Sequence, residues 1–306
     1  MRRTIRGYLN HITYCLLPED AYLALLFRIK CGFWSNLKEP KTFREKMFWL
    51  LKYYNTNQTE LIQTCYDKYT VREYVTQKVG SQYLVPLLAH YQKPEEIDIS
   101  ALPNEFVIKI TQSCGKNLIV LDKDRLDETE TMERVSEWWE ASGKQREQCE
   151  IDKFHYTKEH PTIIAEMLLK PENNAPLNDY KIYCFNGKVE FTRVAVNPMD
   201  ENGRRKKEFV YNTYDRDWNF LDFNTGNEHG ADPSVVVEKP ELLEELYAVA
   251  ESLSADFSFA RVDLYYFDRK IYFGEITFFP GSYAAEMRPS EWDVILGNKL
   301  SLPDLN

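Results

Sequence analysis

The sequence has few of the residues that mark zinc proteins and disulfide-rich secreted proteins. Its six cysteines are scattered over 306 residues, without a CxxC pair and without grouping near the five histidines. Zinc sites and disulfide frameworks need closely spaced or regularly patterned ligands, so neither kind of structure is predicted. We therefore expect a protein of the reducing cytoplasm.

Positive charge is also scarce. Lysine and arginine number 38 against 48 aspartates and glutamates, and the formal net charge is −10. Nucleic acids attract proteins through basic surfaces, and this acidic balance argues against a general affinity for DNA or RNA. We expect no nucleic-acid partner.

Long apolar runs are missing too. The start, MRRTIRGYLNHITYCLLPEDAYLALLF, is basic and then apolar, but Pro18, Glu19 and Asp20 interrupt the run before it reaches the length of a membrane span. We expect neither a transmembrane helix nor a signal peptide. A solvated helix end is favoured for the early arginines, because lipid-binding clusters usually hold more charges. Peripheral association with the inner face of the membrane is the alternative.

The spacing of apolar residues changes along the chain from a helical period to strand alternation. Residues 18–90 are predicted to be mainly helical, and strands are predicted from residue 103 onward. Asn186 and Gly187 indicate a hairpin turn. Residues 200–234 are polar and predicted to be loop. An amphipathic helix over residues 239–257, a β-hairpin and a final helix complete the prediction.

Two strands near the C-terminus each carry a carboxylate on a predicted outward face, namely Asp263 in ARVDLYYF and Glu275 in YFGEITFF. If Asp268 and Arg269 form the hairpin turn, these carboxylates lie side by side and repel unless a cation or a proton lies between them. We therefore expect Glu275→Gln to stabilise the nucleotide-free protein. Oxygen ligands on two strands suit Mg²⁺. An ordinary half-exposed hairpin remains the alternative.

A second motif, FVIKITQSCGKN, places Lys109 near the end of an apolar strand, before a loop of small polar residues. Backbone N–H groups in such a loop can turn toward an anion. The loop lacks the Walker pattern, and for this motif alone a plain hairpin turn is the favoured interpretation. Glu166 and Asp179, on later strands, can offer carboxylates to a nucleoside, but each is poorly specific alone.

In this order, the motifs resemble the ATP-grasp superfamily, and within it the TupA-like branch associated with teichuronopeptide and other bacterial surface polysaccharides. The resemblance spans residues 67–303 and implies an α+β fold in which two α+β subdomains clasp ATP. It implies a helical N-terminal module over residues 1–66 and an ATP-grasp domain over residues 67–306. The lid subdomain would take about residues 104–168, and the metal-binding subdomain about residues 169–306. The stretches that carry the resemblance are DKYTVREYVTQKVGSQYLVPLL, LPNEFVIKITQSCGKN, DYKIYCFNGKVE, VDLYYFDRKIYFGEITFFPGS and PSEWDVILGNKLSLP.

The resemblance implies a nucleotide site. Lys109 would hold the α and β phosphates, and residues 111–117 would form a flexible loop that covers them. Residues 166–168 would read the adenine ring, and Asp179 would bind ribose hydroxyls. The candidate nucleotide-binding residues are Lys109, Thr111, Ser113, Cys114, Gly115, Glu166, Met167, Leu168, Asp179 and Lys181.

The same resemblance implies a magnesium centre. Asp263 and Glu275 correspond to the metal ligands. Thr277 stands where many ATP-grasp enzymes have an asparagine ligand, and it would bind through its hydroxyl. Arg261, beside the phosphates, and Lys109 are the candidate catalytic residues. The implied cofactors are ATP and Mg²⁺.

The implied activity is that of an ATP-dependent carboxylate–amine ligase that forms an amide through an acyl phosphate. Its partners would be ATP, an amino acid or other amine, and a saccharide that contains a uronic acid. Two alternatives stay open, namely a degenerate nucleotide-binding scaffold and a glycosyltransferase. The D-x-D string of a glycosyltransferase occurs at Asp215 to Asp217, where a solvated turn is favoured. The basic run at residues 204–207, with Arg193, suits either an anionic ligand or a solvated loop.

Overall fold

The structure is a computed structural model and describes residues 16–113, 115–146, 161–172, 177–200, 205–225, 230–281 and 283–304. Cys114 and Arg204 lie outside the described residues. Within these ranges the chain forms helices and two antiparallel sheets. None of the helices in the described ranges combines the length and the apolar character that crossing a bilayer requires.

The N-terminal part is helical, as predicted. Its helices are α1 (Glu19–Cys31), α2 (Phe43–Asn57), α3 (Thr59–Tyr66) and α4 (Val71–Lys78). Helix α1 ends at Gly32, whose φ of 85° is the left-handed conformation that glycine adopts without strain. Helix α2 begins with a capping box, in which Thr42 and Glu45 each satisfy a backbone N–H of the other residue.

A four-stranded sheet follows, in the order β1 (Leu87–Tyr91), β4 (Ile163–Met167), β2 (Phe106–Ile110) and β3 (Asn117–Val120). Helix α5 (Glu128–Arg146) packs against β2. The sheet has a small core of its own, in which Ile108, Val135 and Ile163 are buried. It is separate from the core of the rest of the chain.

The second sheet has six strands, in the order β10 (Lys270–Thr277), β9 (Phe259–Phe267), β5 (Asp179–Phe185), β6 (Lys188–Val196), β7 (Val210–Tyr214) and β8 (Phe220–Leu221). Both predicted hairpin turns are confirmed by left-handed φ angles, at Asn186–Gly187 (51° and 74°) and at Asp268–Arg269 (48° and 56°).

The prediction of loop over residues 200–234 is wrong in part, because β7 and β8 lie within it. The sequence of β7 does not show the alternation of apolar and polar residues that predicts a strand, because the strand buries polar side chains. Asn212 is fully buried, and its amide donates to the carbonyls of Asp232 and Val235. A buried polar residue with satisfied hydrogen bonds gives no apolar signal in the sequence.

Helix α6 (Leu243–Ser254) covers one face of the six-stranded sheet and packs against β5, β6 and β9. Its apolar stripe, which includes Leu246, Ala250 and Leu253, is fully buried there. Because side chains alternate along a strand, the residues between those that meet α6 project from the opposite face. That face carries the polar residues of β5 and β9.

The N-terminal helices share the core of the six-stranded sheet. The ring of Phe43 lies 5.6 Å from that of Phe185 and 5.6 Å from that of Phe259. The Tyr54 hydroxyl accepts from the Phe259 N–H (3.1 Å) and donates to the Phe259 carbonyl (3.2 Å). Helix α2 therefore holds β9 in place two residues before Arg261.

The C-terminal helix α7 (Trp292–Lys299) closes this core against the start of α2. The Arg44 Nε atom donates to Asp293 Oδ2 (2.7 Å), and both residues are buried. The two backbones meet so closely that a Cβ atom on Gly297 would lie 2.2 Å from the carbonyl oxygen of Lys41.

We expect Gly297→Ala to lower the melting temperature. Alanine gains about 1 kcal/mol of helix propensity over glycine, but overpacking against a backbone costs typically about 1–3 kcal/mol, so the clash wins. Gly230→Ala is the control, since its Cβ meets nothing within 4 Å. Thermal unfolding followed by circular dichroism measures both variants, and a Gly297→Ala protein as stable as the wild type would contradict this packing.

Candidate functional site

One row of polar side chains crosses five neighbouring strands of the six-stranded sheet. Glu275 pairs with Asp263, Asp263 with Lys181, Lys181 with Arg193, and Arg193 with Thr213. Directly paired residues of antiparallel strands project from the same face. The row therefore lies on the face opposite α6, and it extends from the predicted metal ligands to β7.

The pairing of Asp263 with Glu275 confirms that the two carboxylates lie side by side, but it depends on a bulge. Leu264 pairs with Phe273, so a regular ladder would set Gly274 opposite Asp263. The register shifts there and places Glu275 opposite Asp263 instead. A Cβ atom on Gly274 would lie 3.0 Å from the Asp263 carbonyl oxygen, so this close approach suits glycine.

Arg261 is the cation between the two carboxylates. Its Nε atom donates to Asp263 Oδ1 (2.6 Å) and its Nη2 atom to Asp263 Oδ2 (2.7 Å). The same Nη2 atom reaches Glu275 Oε1 at 3.2 Å and Thr277 Oγ1 at 3.0 Å. The bidentate pair with Asp263 is short and buried, a geometry in which charged hydrogen bonds are strong.

Lys181 is the second cation of the cluster. Its Nζ atom lies 2.7 Å from Asp263 Oδ2 and 2.6 Å from Asp179 Oδ2. Burial favours the neutral amine, but the carboxylates of Asp179 and Asp263 outweigh it and raise the pKa of Lys181. The Oδ1 atom of Asp179 is buried and has no hydrogen-bond partner. Asp179 thus shares Lys181 with Asp263, one of the predicted metal ligands, and its Oδ1 atom is an acceptor that a ligand hydroxyl can use.

Burial and neighbouring charges shift the pKa values of the two carboxylates in opposite directions. Burial raises the pKa of Asp263, against the attraction of Arg261 and Lys181. Burial also opposes ionisation of Glu275, yet Lys68, Arg261 and Lys181 together lower the pKa of Glu275 to about 2. The Glu275 side chain is 43% exposed, against 5% for Asp263. Glu275 is therefore the more accessible of the two carboxylates, and the surrounding cations stabilise its ionised form.

Lys68 was missed by the sequence reasoning. It lies in the turn between α3 and α4, where its N–H donates to the Thr111 carbonyl (3.2 Å) and its Nζ to the Ser113 carbonyl (2.7 Å). It is also the cation with the largest effect on the pKa of Glu275. Lys68 therefore bonds the predicted phosphate loop and also stabilises the charge of Glu275, which lies on the other sheet.

The first residues of that loop are buried and anchored. Asp67 Oδ2 accepts from the Thr111 hydroxyl (2.9 Å) and from the Gln112 amide (3.1 Å). Ser113 is 3% exposed and donates to the Ile110 carbonyl. Gly115 has a φ of 70° and open space around its Cα atom. The loop over residues 111–117 was expected to be exposed and flexible, but its first three residues are held in place: Asp67 bonds Thr111 and Gln112, and Ser113 bonds the Ile110 carbonyl and Lys68.

Lys109 and Glu166 form an ion pair on the four-stranded sheet, with an Nζ to Oε2 distance of 2.6 Å. The other carboxylate oxygen of Glu166 accepts from Arg72 at 2.9 Å, and Arg72 also donates to the Val85 carbonyl. The Glu166 side chain is 7% exposed, against 20% for Lys109. Two cations on one carboxylate leave a net positive charge beside the loop. Arg72 was also missed by the sequence reasoning.

The residues after Glu166 lie at the end of β4. The N–H of Met167 donates to the Pro86 carbonyl (3.0 Å), while the Met167 residue is 38% exposed. That N–H is therefore satisfied by the protein backbone. Leu168 follows directly after the last residue of the strand, so the candidate adenine hinge begins where the sheet ends.

The donor set of the cluster fits Mg²⁺. Asp263, Glu275 and Thr277 offer only oxygen atoms, which hard divalent cations prefer. No group of three or more histidine, cysteine, aspartate or glutamate side chains arranged to hold a metal occurs within the described residues. Since Mg²⁺ usually completes its shell with phosphate and water oxygens, a metal brought in by a nucleotide matches this incomplete set.

The D-x-D string lies in a turn. Asp215 Oδ1 accepts from the backbone N–H groups of Asp217 (2.9 Å) and Asn219 (2.8 Å), and its Oδ2 accepts from the Asn219 amide. Arg216 pairs with Glu251. The carboxylate of Asp215 caps the turn between β7 and β8, which supports the turn interpretation of this string.

The chain is similar to known proteins over most of its length. The model of a family described as TupA-like ATPgrasp matches residues 45–301. Among solved structures, D-alanine–D-alanine ligase from Bacillus anthracis is 18% identical, with 72% of this chain and 58% of that chain covered and a TM-score of 0.43. An L-amino acid ligase from Bacillus licheniformis is 13% identical, with 78% and 48% covered and a TM-score of 0.43.

A D-cycloserine synthetase is also 13% identical, with 86% of this chain and 82% of that chain covered and a TM-score of 0.43. The chain thus spans 58% of the length of the D-alanine–D-alanine ligase. No curated protein gives a significant match.

We expect Glu275→Gln to lower the melting temperature of the nucleotide-free protein near pH 7, which reverses the expectation from the sequence. The carboxylate is surrounded by cations, and its pKa falls from an ordinary 4.5 to about 2. A depressed pKa in the folded state contributes stability above the unfolded value, and that stability disappears as the pH falls from 4.5 toward 2.

The measurement is thermal unfolding of wild type and variant at several pH values between 7 and 3. The difference between them should shrink as the pH falls below 4.5. Glu286→Gln, which removes a 61% exposed carboxylate, is the matched control. A more stable Glu275→Gln protein at pH 7 would mean that repulsion between the carboxylates dominates after all.

Proposed function

The chain belongs to the TupA-like ATP-grasp family, and on that premise we propose that it is a Mg²⁺- and ATP-dependent carboxylate–amine ligase. The observation that carries the proposal is the cluster in which Arg261 and Lys181 flank the oxygen donors of Asp263 and Glu275 on adjacent strands. Cations beside hard oxygen ligands suit a triphosphate whose charge a metal shares.

In this proposal the nucleotide lies between the two sheets. Lys109 and Lys68 bind phosphate oxygens, and Asp179 binds ribose hydroxyls through its unpartnered Oδ1 atom. Residues 166–168 bind the adenine edge where β4 ends. Because Arg72 already neutralises Glu166, the charge of Lys109 stays available to the phosphates.

The proposed reaction has two steps. A carboxylate oxygen of the acid attacks the γ-phosphorus of ATP, the bond from that phosphorus to the β–γ bridging oxygen breaks, and ADP leaves. The amine nitrogen then attacks the acyl carbon, inorganic phosphate leaves, and the nitrogen loses a proton to solvent. Arg261 contributes fixed positive charge where negative charge develops. Asp263, Glu275 and Thr277 would hold magnesium, which would further neutralise the phosphates.

For substrates we propose an amino acid or other amine, and a uronic acid of a bacterial surface polysaccharide or its precursor. The support is the association of the TupA-like branch with teichuronopeptide and related polymers. A cytoplasmic protein that can work at the inner face of the membrane fits such substrates, because precursors of surface polymers are built there.

The test of the reaction is release of ADP from Mg·ATP in the presence of the twenty amino acids, each combined with several uronic acids. We expect ADP and phosphate only when acid and amine are both present, and no turnover after chelation of magnesium or in Glu275→Gln. Cleavage of a sugar nucleotide instead would identify a glycosyltransferase. Binding of ATP without turnover under any combination would indicate a degenerate module.

We expect Lys109→Ala to weaken ATP binding by about tenfold or more, since charged hydrogen bonds contribute about 1.5–3 kcal/mol. The variant should stay folded, because Arg72 still pairs with the buried Glu166. Isothermal titration calorimetry with Mg·ATP measures the affinity, and Lys93→Ala, which removes an exposed lysine, is the control. Unchanged affinity in folded Lys109→Ala would remove Lys109 from the phosphate site.

A further inference from the structure

Arg193 is a buried cation in the polar row, one strand beyond Lys181. The residue is 6% exposed. Its Nη1 atom donates to Thr225 Oγ1 (2.7 Å), and its guanidinium lies 4.7 Å from the centre of the Tyr211 ring. Its Nε atom is buried without a hydrogen-bond partner. Within the described part of the chain, no carboxylate lies within ion-pair distance of Arg193, whereas Lys181 and Arg261 both have one.

A buried charge without a counter-ion is costly. The other two cations of the row offset that cost with Asp179 and Asp263. Among the described residues, Arg193 contacts the hydroxyls of Thr225 and Tyr183 and the ring of Tyr211, and these neutral groups stabilise a cation far less than a carboxylate does. A ligand that supplies a negative charge would offset the cost of burying the charge of Arg193.

The surroundings of Arg193 have the properties of an anion site. Burial opposes ionisation of Tyr183, but Arg193 and Arg261 lower the pKa of this tyrosine, so its hydroxyl lies in a region of positive potential. Thr213, directly paired with Arg193, has a buried hydroxyl without a partner. A guanidinium with a free N–H and a nearby unsatisfied hydroxyl can both donate to one carboxylate.

We propose that Arg193 binds the carboxylate of the acid substrate, with the Thr213 hydroxyl as a second donor. The proposal rests on the ligase function above. Adjacent strands lie about 4.8 Å apart, so the backbone of Arg193 is about 10 Å across the sheet from that of Asp263. A γ-phosphate near the predicted metal ligands would be held by Lys181 and Arg261. Arg193 lies one strand farther on and holds the carboxylate that attacks this phosphate.

A second arginine lies beyond the first. Arg205 donates to the Tyr211 hydroxyl (3.0 Å), and its guanidinium is 4.8 Å from the centre of the Phe209 ring. Arg205 is exposed, in contrast to Arg193. Tyr211 therefore has one arginine against its ring and another at its hydroxyl. This positive edge favours an acid with further oxygen-rich groups, such as a sugar acid, over a simple aliphatic acid.

The experiment measures binding of D-glucuronate and D-galacturonate to the protein with Mg²⁺ and a non-hydrolysable ATP analogue, with neutral D-glucose as the reference. We expect a uronate to bind the wild type and to bind Arg193→Met about 10- to 100-fold more weakly, since one charged pair is lost. Arg193→Lys should keep part of the affinity. Affinities for ATP and ADP should stay within about twofold of the wild type in both variants.

The control is Arg125→Gln, which removes an arginine with an 87% exposed side chain and should change nothing. Stability gives a readout independent of the ligand: Arg193→Met should be at least as stable as the wild type without ligand, because it removes an unpaired buried charge. A clear loss of stability would mean that Arg193 is structural and would overturn the proposal.

Three other binding results would also test the role of Arg193 or the proposed function. Weaker binding of ATP but not of ADP to Arg193→Met would assign Arg193 to the γ-phosphate and overturn the proposal. Failure of both uronates to bind a wild type that binds ATP would overturn it while leaving the ligase function standing. A wild type that binds no ATP would instead refute the proposed function itself.

Discussion

The bidentate pair between Arg261 and Asp263 is the interaction on which the rest of the site depends. It places a fixed positive charge between Asp263 and Glu275, which would otherwise repel. Lys181 adds a second cation from the neighbouring strand. Without these cations the two carboxylates would repel, and keeping both ionised side by side in the folded protein would be costly.

Residues that are distant from this cluster in the sequence hold it in position and stabilise its charges. Tyr54 on α2 holds the backbone of Phe259, two residues before Arg261. Lys68, in the turn between α3 and α4, bonds the loop at Ser113 and lowers the pKa of Glu275. The N-terminal helices and the turn between α3 and α4 thus contribute both to the core and to the electrostatics of the site.

A second group of paired charges, with more cations than carboxylates, lies at the four-stranded sheet. Glu166 accepts from Lys109 and Arg72 at once, and the excess positive charge lies next to the loop anchored by Asp67. In the six-stranded sheet the excess positive charge is that of Arg193. Uncompensated positive charge near both sheets is the pattern expected where a polyanionic nucleotide and an acid are brought together.

Local signals in the sequence predicted the helices, the two hairpin turns and the side-by-side position of Asp263 and Glu275, because caps, turn residues and periodicity act over a few neighbouring positions. They did not predict strand β7, the bulge at Gly274, or the contacts of Lys68 and Arg72. Those features depend on partners distant in the chain. A bulge or a buried ion pair is selected by the packing of whole sheets, and only the tertiary structure decided which cations pair with a carboxylate and which, like Arg193, have none among the described residues.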